Sequence, residues 1–442
     1  MIIAHKYDHL LIDEINEKFG YASNTWLADS LRLLNKPQLA ILNLIDGKTT
    51  LDEIASKLHL DPFVVTQFAN SLADRNIIHF GVPKNLENEH ISPKSLTLWI
   101  HTTNKCNLGC NYCYISTLQT TGGMSDQVRK QLINRLLVTQ ANHKLERIHL
   151  KLAGGEPLTQ YKIWNDFILQ ATKAFESRNC ELKFSFLTNL TILNQEIVSF
   201  ARANDIQFGV SLDGYGSFHD NTRQFKNGKS SFNQVDRNIR WLVKEKIKVS
   251  VSSVITQHNM AGLLPLTNYL IEKKIHFRYS VVRGQFIDRN LLAKYFDQVY
   301  SVMEAAVEKG WPASKYFRLN DLKISELGTQ TCSSGESGAA IYVNGDVHYC
   351  HVQFGTGLGK TGDIFATDLD LMDLIKIGAY NEGYKSEDCM TCHFRHMCTS
   401  GCPMYRENGK DPNCGIYHQF IPKLLRLKAK ERYYILTQYK NA

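Results

Sequence analysis

What the chain lacks narrows its class first. No stretch of its 442 residues approaches eighteen uncharged apolar residues, so no membrane span is predicted. The N-terminus, MIIAHKYDHL, has neither a sustained apolar core nor a small-residue cleavage site, which argues against a secretory signal. Neither sign of charge dominates, since 51 basic residues face 43 acidic ones for a formal +8. Part of that excess sits in IPKLLRLKAKERYY, where Lys423, Arg426, Lys428, Lys430 and Arg432 accompany leucines at helical spacing. Read alone, it is the solvated face of a terminal helix. Without export the thiols stay reduced, so the eleven cysteines are not read as disulfides. With 43% hydrophobic and 21% charged residues, this is the composition of a folded, cytoplasmic protein, long enough for two or three domains.

Ten of the eleven cysteines fall into two groups. Cys180 stands apart in NCELKFSF, where a buried core thiol is expected. The groups divide the chain into three segments. Residues 1–85 read as a small α+β module with a possible hairpin and three helical patterns. Asp46-Gly47 ends the first helix, Thr50 and Glu53 form a capping box for the second, and Pro62 opens the third. This is a winged-helix outline that by itself could bind DNA. The polar stretch at 82–95, with two prolines, reads as a linker.

From residue 95 to about 310, β-rich runs alternate with helical ones. LTLWIHTT, RIHLKLA, LKFSFLTN, IQFGVSLD, KVSVSSVIT and HFRYSVVR give six strands of a parallel sheet with right-handed crossovers. The fold class is α/β, a partial (β/α)6 barrel of the TIM type, whose chemistry gathers at the C-terminal strand ends. Beyond residue 320 apolar periodicity fades while cysteine, glycine and histidine become dense, which predicts a third domain, 320–442, folded around metal.

TNKCNLGCNYCYIS sets Cys106, Cys110 and Cys113 in a CxxxCxxC loop right after the first barrel strand. Three thiolates hold three irons of a 4Fe–4S cube and leave the fourth open; a three-cysteine zinc site completed by a distant ligand is the alternative. After the second strand comes GGEP. Gly154 and Gly155 permit close backbone approach to a ligand, and Glu156 supplies an acceptor for an ammonium group.

Together these motifs resemble the radical S-adenosylmethionine (SAM) superfamily. The resemblance implies a SAM-binding 4Fe–4S cluster and makes Tyr112, Gly154, Gly155, Glu156, Asn189 (after Thr188) and Ser211 cofactor neighbours, with Asp213 a catalytic candidate. FHDNTRQFKNGKSSFNQVDRNI also resembles that family's segment after the fourth strand. The pattern Cys332, Gly345, Cys350, Cys389, Cys392, Cys398, Cys402, Cys414 resembles the SPASM domain of peptide- and protein-modifying radical enzymes. It implies two auxiliary 4Fe–4S clusters, an outer one on Cys389, Cys392, Cys398 and Cys414 and an inner one on Cys332, Cys350 and Cys402. DLKISELGTQT offers the inner cluster no further cysteine. His351 stands where sulfatase-maturing relatives hold an aspartate proton acceptor, a role open to imidazole; His348 and His393 are weaker candidates.

ILNLIDGKTTLDEIA and the Val65, Phe68, Leu72, Ile77-Ile78 series resemble the PqqD-like peptide-recognition domain. Such domains bind a leader peptide as an added strand. The third helix carries no basic residue before Arg75, which disfavours DNA reading. The resemblances imply a maturase that installs an oxidative cross-link (C–C cyclophane, ether or thioether) in a ribosomally made precursor. A low-potential donor, a flavodoxin or ferredoxin, would supply electrons, and neither nucleic acid nor membrane is an expected partner. Alternatives are a sulfatase-type side-chain maturase and a zinc-stabilised winged-helix DNA-binding protein.

Overall fold

The computed structural model describes residues 2–83, 93–118, 122–324, 327–328, 330–366, 368–377 and 385–440. Most of the expected linker at 82–95 lies outside them. The chain opens with short strands, β1 (Ala4–Lys6), β2 (Leu10–Glu14), β3 (Phe19–Asn24) and β4 (Arg32–Asn35), followed by helices α1 (Lys36–Leu44), α2 (Leu51–Leu58) and α3 (Pro62–Ala73) and strand β5 (Ile78–Phe80). β2, β3 and β4 form an antiparallel sheet in that order, and β1 pairs with β5. The expected capping box is present: the Thr50 hydroxyl accepts from the Glu53 amide and the Glu53 carboxylate from the Thr50 amide. Pro62 starts α3, capped by Asp61. Leu42, Ile54, Ala55, Val65 and Ala69 are fully enclosed in this module's core.

Next come six βα repeats: β6 (Ser95–Thr103), α4 (Asp126–His143), β7 (Arg147–Gly154), α5 (Tyr161–Phe175), β8 (Glu181–Thr188), α6 (Gln195–Ala203), β9 (Gln207–Ser211), the single turn α7 (Ser217–Asp220), α8 (Phe232–Lys244), β10 (Val249–Ile255), α9 (Leu263–Glu272) and β11 (His276–Val281). Every neighbouring pair from β6 to β11 is parallel. Parity sorts each strand. In β6, Leu96, Leu98 and Ile100 face the helices and are fully buried, while Thr97, Trp99 and His101 alternate on the inner face. Asymmetric coverage of this kind is what a curved sheet with helices on one face requires.

The chain continues through α10 (Arg289–Val307), α11 (Ala313–Tyr316) and β12 (Phe317–Leu319). Strands β13 (Gly338–Ile341), β14 (Asp346–His348) and β15 (Lys360–Asp363) follow, with helix α12 (Leu371–Ile377). β13 pairs parallel with β6, and β14 and β15 add antiparallel, so the larger sheet runs β11-β10-β9-β8-β7-β6-β13-β14-β15. Two one-turn helices, α13 (Glu387–Met390) and α14 (Arg395–Cys398), precede the long α15 (Cys414–Lys440).

The chain divides into two compact units: Met1–His90 with Asp288–Thr331 and Tyr384–Ala442, and Ile91–Ile287 with Cys332–Gly383. In the first unit α15 packs on α10, with Phe420 against Phe296 at 5.0 Å between ring centroids. This corrects the reading of the C-terminal basic run as a solvated face. Lys423 pairs with Asp297, Lys430 with Glu304 and Glu308, Arg426 with Asp13, and Lys428 and Arg432 with Asp29. Cys180, expected in the core, is only half-buried just before β8.

Thr50→Ala removes one half of the α2 capping box. It is expected to destabilise that helix by about 1 kcal/mol, read as roughly fivefold faster hydrogen exchange of its first-turn amides by mass spectrometry.

Candidate active site

Three thiols and the glycine loop meet at the C-terminal ends of the parallel strands. Cys106, Cys110, Cys113, Tyr112, Gly154, Gly155, Asn189 and Ser211 all line one cavity of about 330 Å³. Trp99, Tyr114, Thr188, Arg223 and Lys226 complete much of its wall. The sequence-expected cofactor neighbours are thus brought together, with one exception.

That exception is Glu156. Its side chain is enclosed and does not line the cavity; it accepts from the Thr188 hydroxyl at 2.7 Å, the Asn189 amide at 2.7 Å and the Leu158 amide at 3.0 Å. Burial pushes its carboxyl up to about 7, against the pull of those donors. In this arrangement Glu156 fixes the end of β8 to the GGE turn rather than offering itself to a ligand. The glycines also answer to a protein contact. A Cβ on Gly155 would lie 2.1 Å from the Lys105 carbonyl oxygen, and Gly154 has φ +125° against Thr103. The Gly155 amide donates to Thr103 O and the Glu156 amide to Lys105 O. Glycine is needed where the second strand's turn presses on the start of the cysteine loop.

The cysteine loop is clamped from its other side by residues 222–226. Amides of Gly109 and Asn111 donate to the carbonyls of Gln224 and Thr222, and the Lys226 amide donates to Asn107 O. The clamp is anchored by Asp213, which is buried and accepts from the Tyr112 hydroxyl (2.5 Å), Arg223 Nε (2.6 Å) and the Val254 amide (2.9 Å). The Arg223 guanidinium lies 5.3 Å from the Tyr112 ring centroid and its Nη1 is 3.7 Å from Cys110 Sγ. The carboxylate of Asp213, expected as catalytic, is engaged by protein donors and does not line the cavity. Asp220 accepts from the Ser231 and Phe232 amides and so caps α8, and His219 Nε2 bonds Ser231 Oγ at 3.0 Å. The Asp213 amide donates to His219 Nδ1, which fixes the Nε2–H tautomer. Asn189 reaches Cys106 Sγ at 3.7 Å and Asn107 at 2.9 Å.

His351 stacks on Trp99 with centroids 3.9 Å apart, and its Nδ1 is 3.0 Å from the Tyr114 hydroxyl. Both partners line the cavity. Burial, then His101, Arg283, Lys151 and Arg278, push the imidazole down to about 3, so it is neutral around pH 7. His348 is buried against Phe354, while His393 lies edge-on to His9.

In the first unit Cys389, Cys392, Cys398 and Cys414 form a second group. Burial, then Asp411 and the thiols of Cys414, Cys392 and Cys389, push Cys398 well up. Cys392 Sγ is 3.2 Å from His418 Nε2, a neighbour one turn into α15 that cysteine spacing could not reveal. Cys402 lies in this same unit, whereas Cys350 and the exposed Cys332 lie in the other. Among the described residues, the group of three or more potential ligands whose donor atoms lie within 4.8 Å of one another is His143, Asp370 and Asp373, with no cysteine in it. A tetrahedral zinc–thiolate site needs sulfurs about 3.8 Å apart, from Zn–S bonds near 2.3 Å.

Residues 100–267 match the family model of the Radical SAM superfamily. The chain is an enzyme and takes SAM and 4Fe–4S as cofactors. It is 24% identical over 380 residues to the cysteine-type anaerobic sulfatase-maturating enzyme of Clostridium novyi (strain NT), covering 75% of this chain and 95% of the relative. To the serine-type enzyme of Bacteroides thetaiotaomicron it is 29% identical over 367 residues, with 72% and 86% covered. Its fold matches that of anSMEcpe with bound AdoMet and Cp18Cys peptide at TM-score 0.65 and 20% identity, over 77% of this chain and 99% of the other. Streptococcus suis SuiB bound to precursor peptide SuiA matches at TM-score 0.54 and 15% identity, over 93% and 100%. No helix of the described residues is long and apolar enough to cross a membrane.

Asp213→Asn leaves the Arg223 charge buried without its partner and is expected to cost about 3 kcal/mol or more. Chemical denaturation and iron content per chain check it: the midpoint falls and iron is lost. Arg223→Lys, which keeps the charge but not the Nε geometry, should show a smaller loss.

Proposed function

We propose that this enzyme matures a ribosomally made peptide by removing two hydrogens and closing an intramolecular cross-link, a C–C cyclophane, ether or thioether bond. The observation that carries the reading is the coexistence of the Cys106–Cys110–Cys113 cavity with the second group at Cys389, Cys392, Cys398 and Cys414. Cleaving SAM needs only the first. When bound and reduced there, the cluster supplies the electron that splits SAM into methionine and a 5′-deoxyadenosyl radical. Cys389, Cys392, Cys398 and Cys414 would hold a second iron–sulfur group able to receive the electron left after hydrogen abstraction.

The chain's own residues do the rest. Arg223, Ser211 and Asn189 orient the cofactor within the cavity, and Trp99 and Tyr114 screen it from water. His351, neutral and bonded to Tyr114, accepts the proton that leaves the substrate. β2 is an edge strand of its sheet, a place where a leader peptide can add as a further strand. α3, PFVVTQFANSLA, exposes Phe63 and Val64 rather than cations, which favours a peptide over DNA for this PqqD-like, winged-helix-like module. The SuiB fold match spans 93% of the chain and the anSMEcpe match 77%, which supports a peptide-modifying enzyme with an added module. A flavodoxin or ferredoxin would supply the reducing electron.

The second reading, conversion of a sulfatase side chain to a formylglycine, rests on relatives matched over 95% and 86% of their lengths. Anaerobic co-expression with any short peptide gene found beside this one separates the two. A product lighter by two hydrogens, whose fragmentation is blocked between two residues, is the expected outcome. A carbonyl confined to one residue and captured by a hydrazide would select the second reading. An unchanged mass with SAM still cleaved would sink both.

A further inference from the structure

The inner face of the barrel carries two cations without a carboxylate partner among the described residues, with the Cys332 thiol the opposing group acting on Lys151. Parity along β6–β11 sends Thr97, Trp99, His149, Lys151, Ser252 and Arg278 inward, and the acidic residue on that face, Glu181 at the start of β8, is already paired with Arg147 and Lys183. Lys183, near the far end of β8, pairs with Glu181. Lys151 and Arg278 meet no carboxylate among the described residues; Arg278 donates its Nε proton to Ser252 Oγ at 3.1 Å. Burial holds both below their usual range, and for Lys151 the nearness of Arg278 adds to it.

Neither cation lines the cofactor cavity, but both stand on strands next to or near those whose side chains do. Lys151 stands in register beside Trp99, which lines it. Arg278 stands beside Ser252, and Ser252 beside Ser211, which also lines it. On the cysteine-loop side, Arg223 and Lys226 already provide cationic groups to the cavity. Arg278 is exposed and Lys151 half-buried, both on the concave face, so an anionic guest entering that concavity would supply the carboxylate partner they lack and gain charge-assisted hydrogen bonds.

We infer that Lys151 and Arg278 form a carboxylate-recognition site that orients the substrate peptide through an acidic group beside the residue being oxidised. This rests on the maturase reading and deepens it: the carboxylate is an aspartate or glutamate side chain or the peptide's own C-terminus. Arg278 offers a planar fork and Lys151 a point charge, and together they bind one carboxylate from two strands.

The test uses full-length holoenzyme, reconstituted without oxygen, loaded with SAM and immobilised. It is challenged with two random octapeptide pools, one ending in a free carboxylate and one amidated. Wild type is expected to retain Asp- or Glu-containing peptides of the amidated pool about tenfold over their Asn and Gln counterparts. Enrichment confined to the free-acid pool assigns the site to the C-terminal carboxylate. Lys151→Gln and Arg278→Gln should each abolish the preference, and Lys151→Glu should shift it toward Lys and Arg, with iron content and visible absorbance showing that the variants fold. Retention without acid preference, or a preference that survives both neutral substitutions, overturns the inference alone. A SAM affinity lowered about tenfold in Arg278→Gln assigns that cation to the cofactor and also overturns it. Failure of wild type to retain any peptide removes the maturase reading itself.

Discussion

The buried pair between Asp213 and Arg223 is the constraint on which the candidate site depends. Asp213 continues β9 past Ser211 and Leu212, where the fourth barrel strand ends, and Arg223 lies ten residues on, beyond the α7 turn. Their contact draws residues 222–226 against the cysteine loop, and the Tyr112 hydroxyl joins the same carboxylate from inside that loop. Two charges withdrawn from water are worth little unless their geometry and remaining hydrogen bonds are good. Here both carboxylate oxygens are engaged, one by the Val254 amide and the other by Arg223 and Tyr112. The pair's service is to register: it sets where three sulfurs stand relative to the strand ends.

A comparable arrangement operates in the other unit, where the N-terminal module and the second cysteine group share one core. Trp26 Nε1 donates to the Cys392 carbonyl at 3.3 Å, and the Thr25 hydroxyl donates to the His393 carbonyl. His9 stacks on the Trp26 ring at 3.6 Å, and the Arg395 guanidinium lies 4.6 Å from its centroid. Cys392 and Arg395 flank the loop that the sequence assigns to the outer cluster. The module at the start of the chain therefore buttresses the cluster loop near its end, and a strand added at β2 would form close to His9.

The barrel strands were legible because their alternation is strict and the helices between them are amphipathic; all six runs are strands, with helices between them. The cysteine and glycine motifs led to the cavity for the same reason, since a chemistry that needs several residues at one strand end leaves them close in sequence. The surroundings of Glu156 and Asp213 were not legible, because the donors around a carboxylate come from other elements, here Thr188, Asn189 and Arg223. The basic C-terminal helix was misread likewise: its partners Asp297, Glu304 and Glu308 lie over a hundred residues earlier, on and just after α10. Sequence parity did hold the cations of the barrel interior, but their significance appears only when neighbouring strands are set in register.

That interior differs physically from a closed eight-stranded barrel, where layers of branched apolar side chains fill the centre. Six strands curve without closing, and serines, threonines, histidines and cations face the space within beside Trp99, Leu187 and Val254, while the packed apolar core lies outward: Leu98, Leu150, Phe186, Phe208 and Val251 are at most 1% exposed. A polar concavity gains nothing from collapsing on itself, so it stays open to a polar guest. Peptide backbone is such a guest, rich in donors and acceptors that must be satisfied when drawn out of water. Acceptance of extended chain follows from the serines and threonines, and discrimination among chains falls to the few groups with full charge. A radical formed in the cavity reacts with whatever hydrogen is nearest, so selectivity rests on where the guest is held. Lys151 and Arg278, set on β7 and β11 with three strands between them in the sheet order, are the groups placed to hold it.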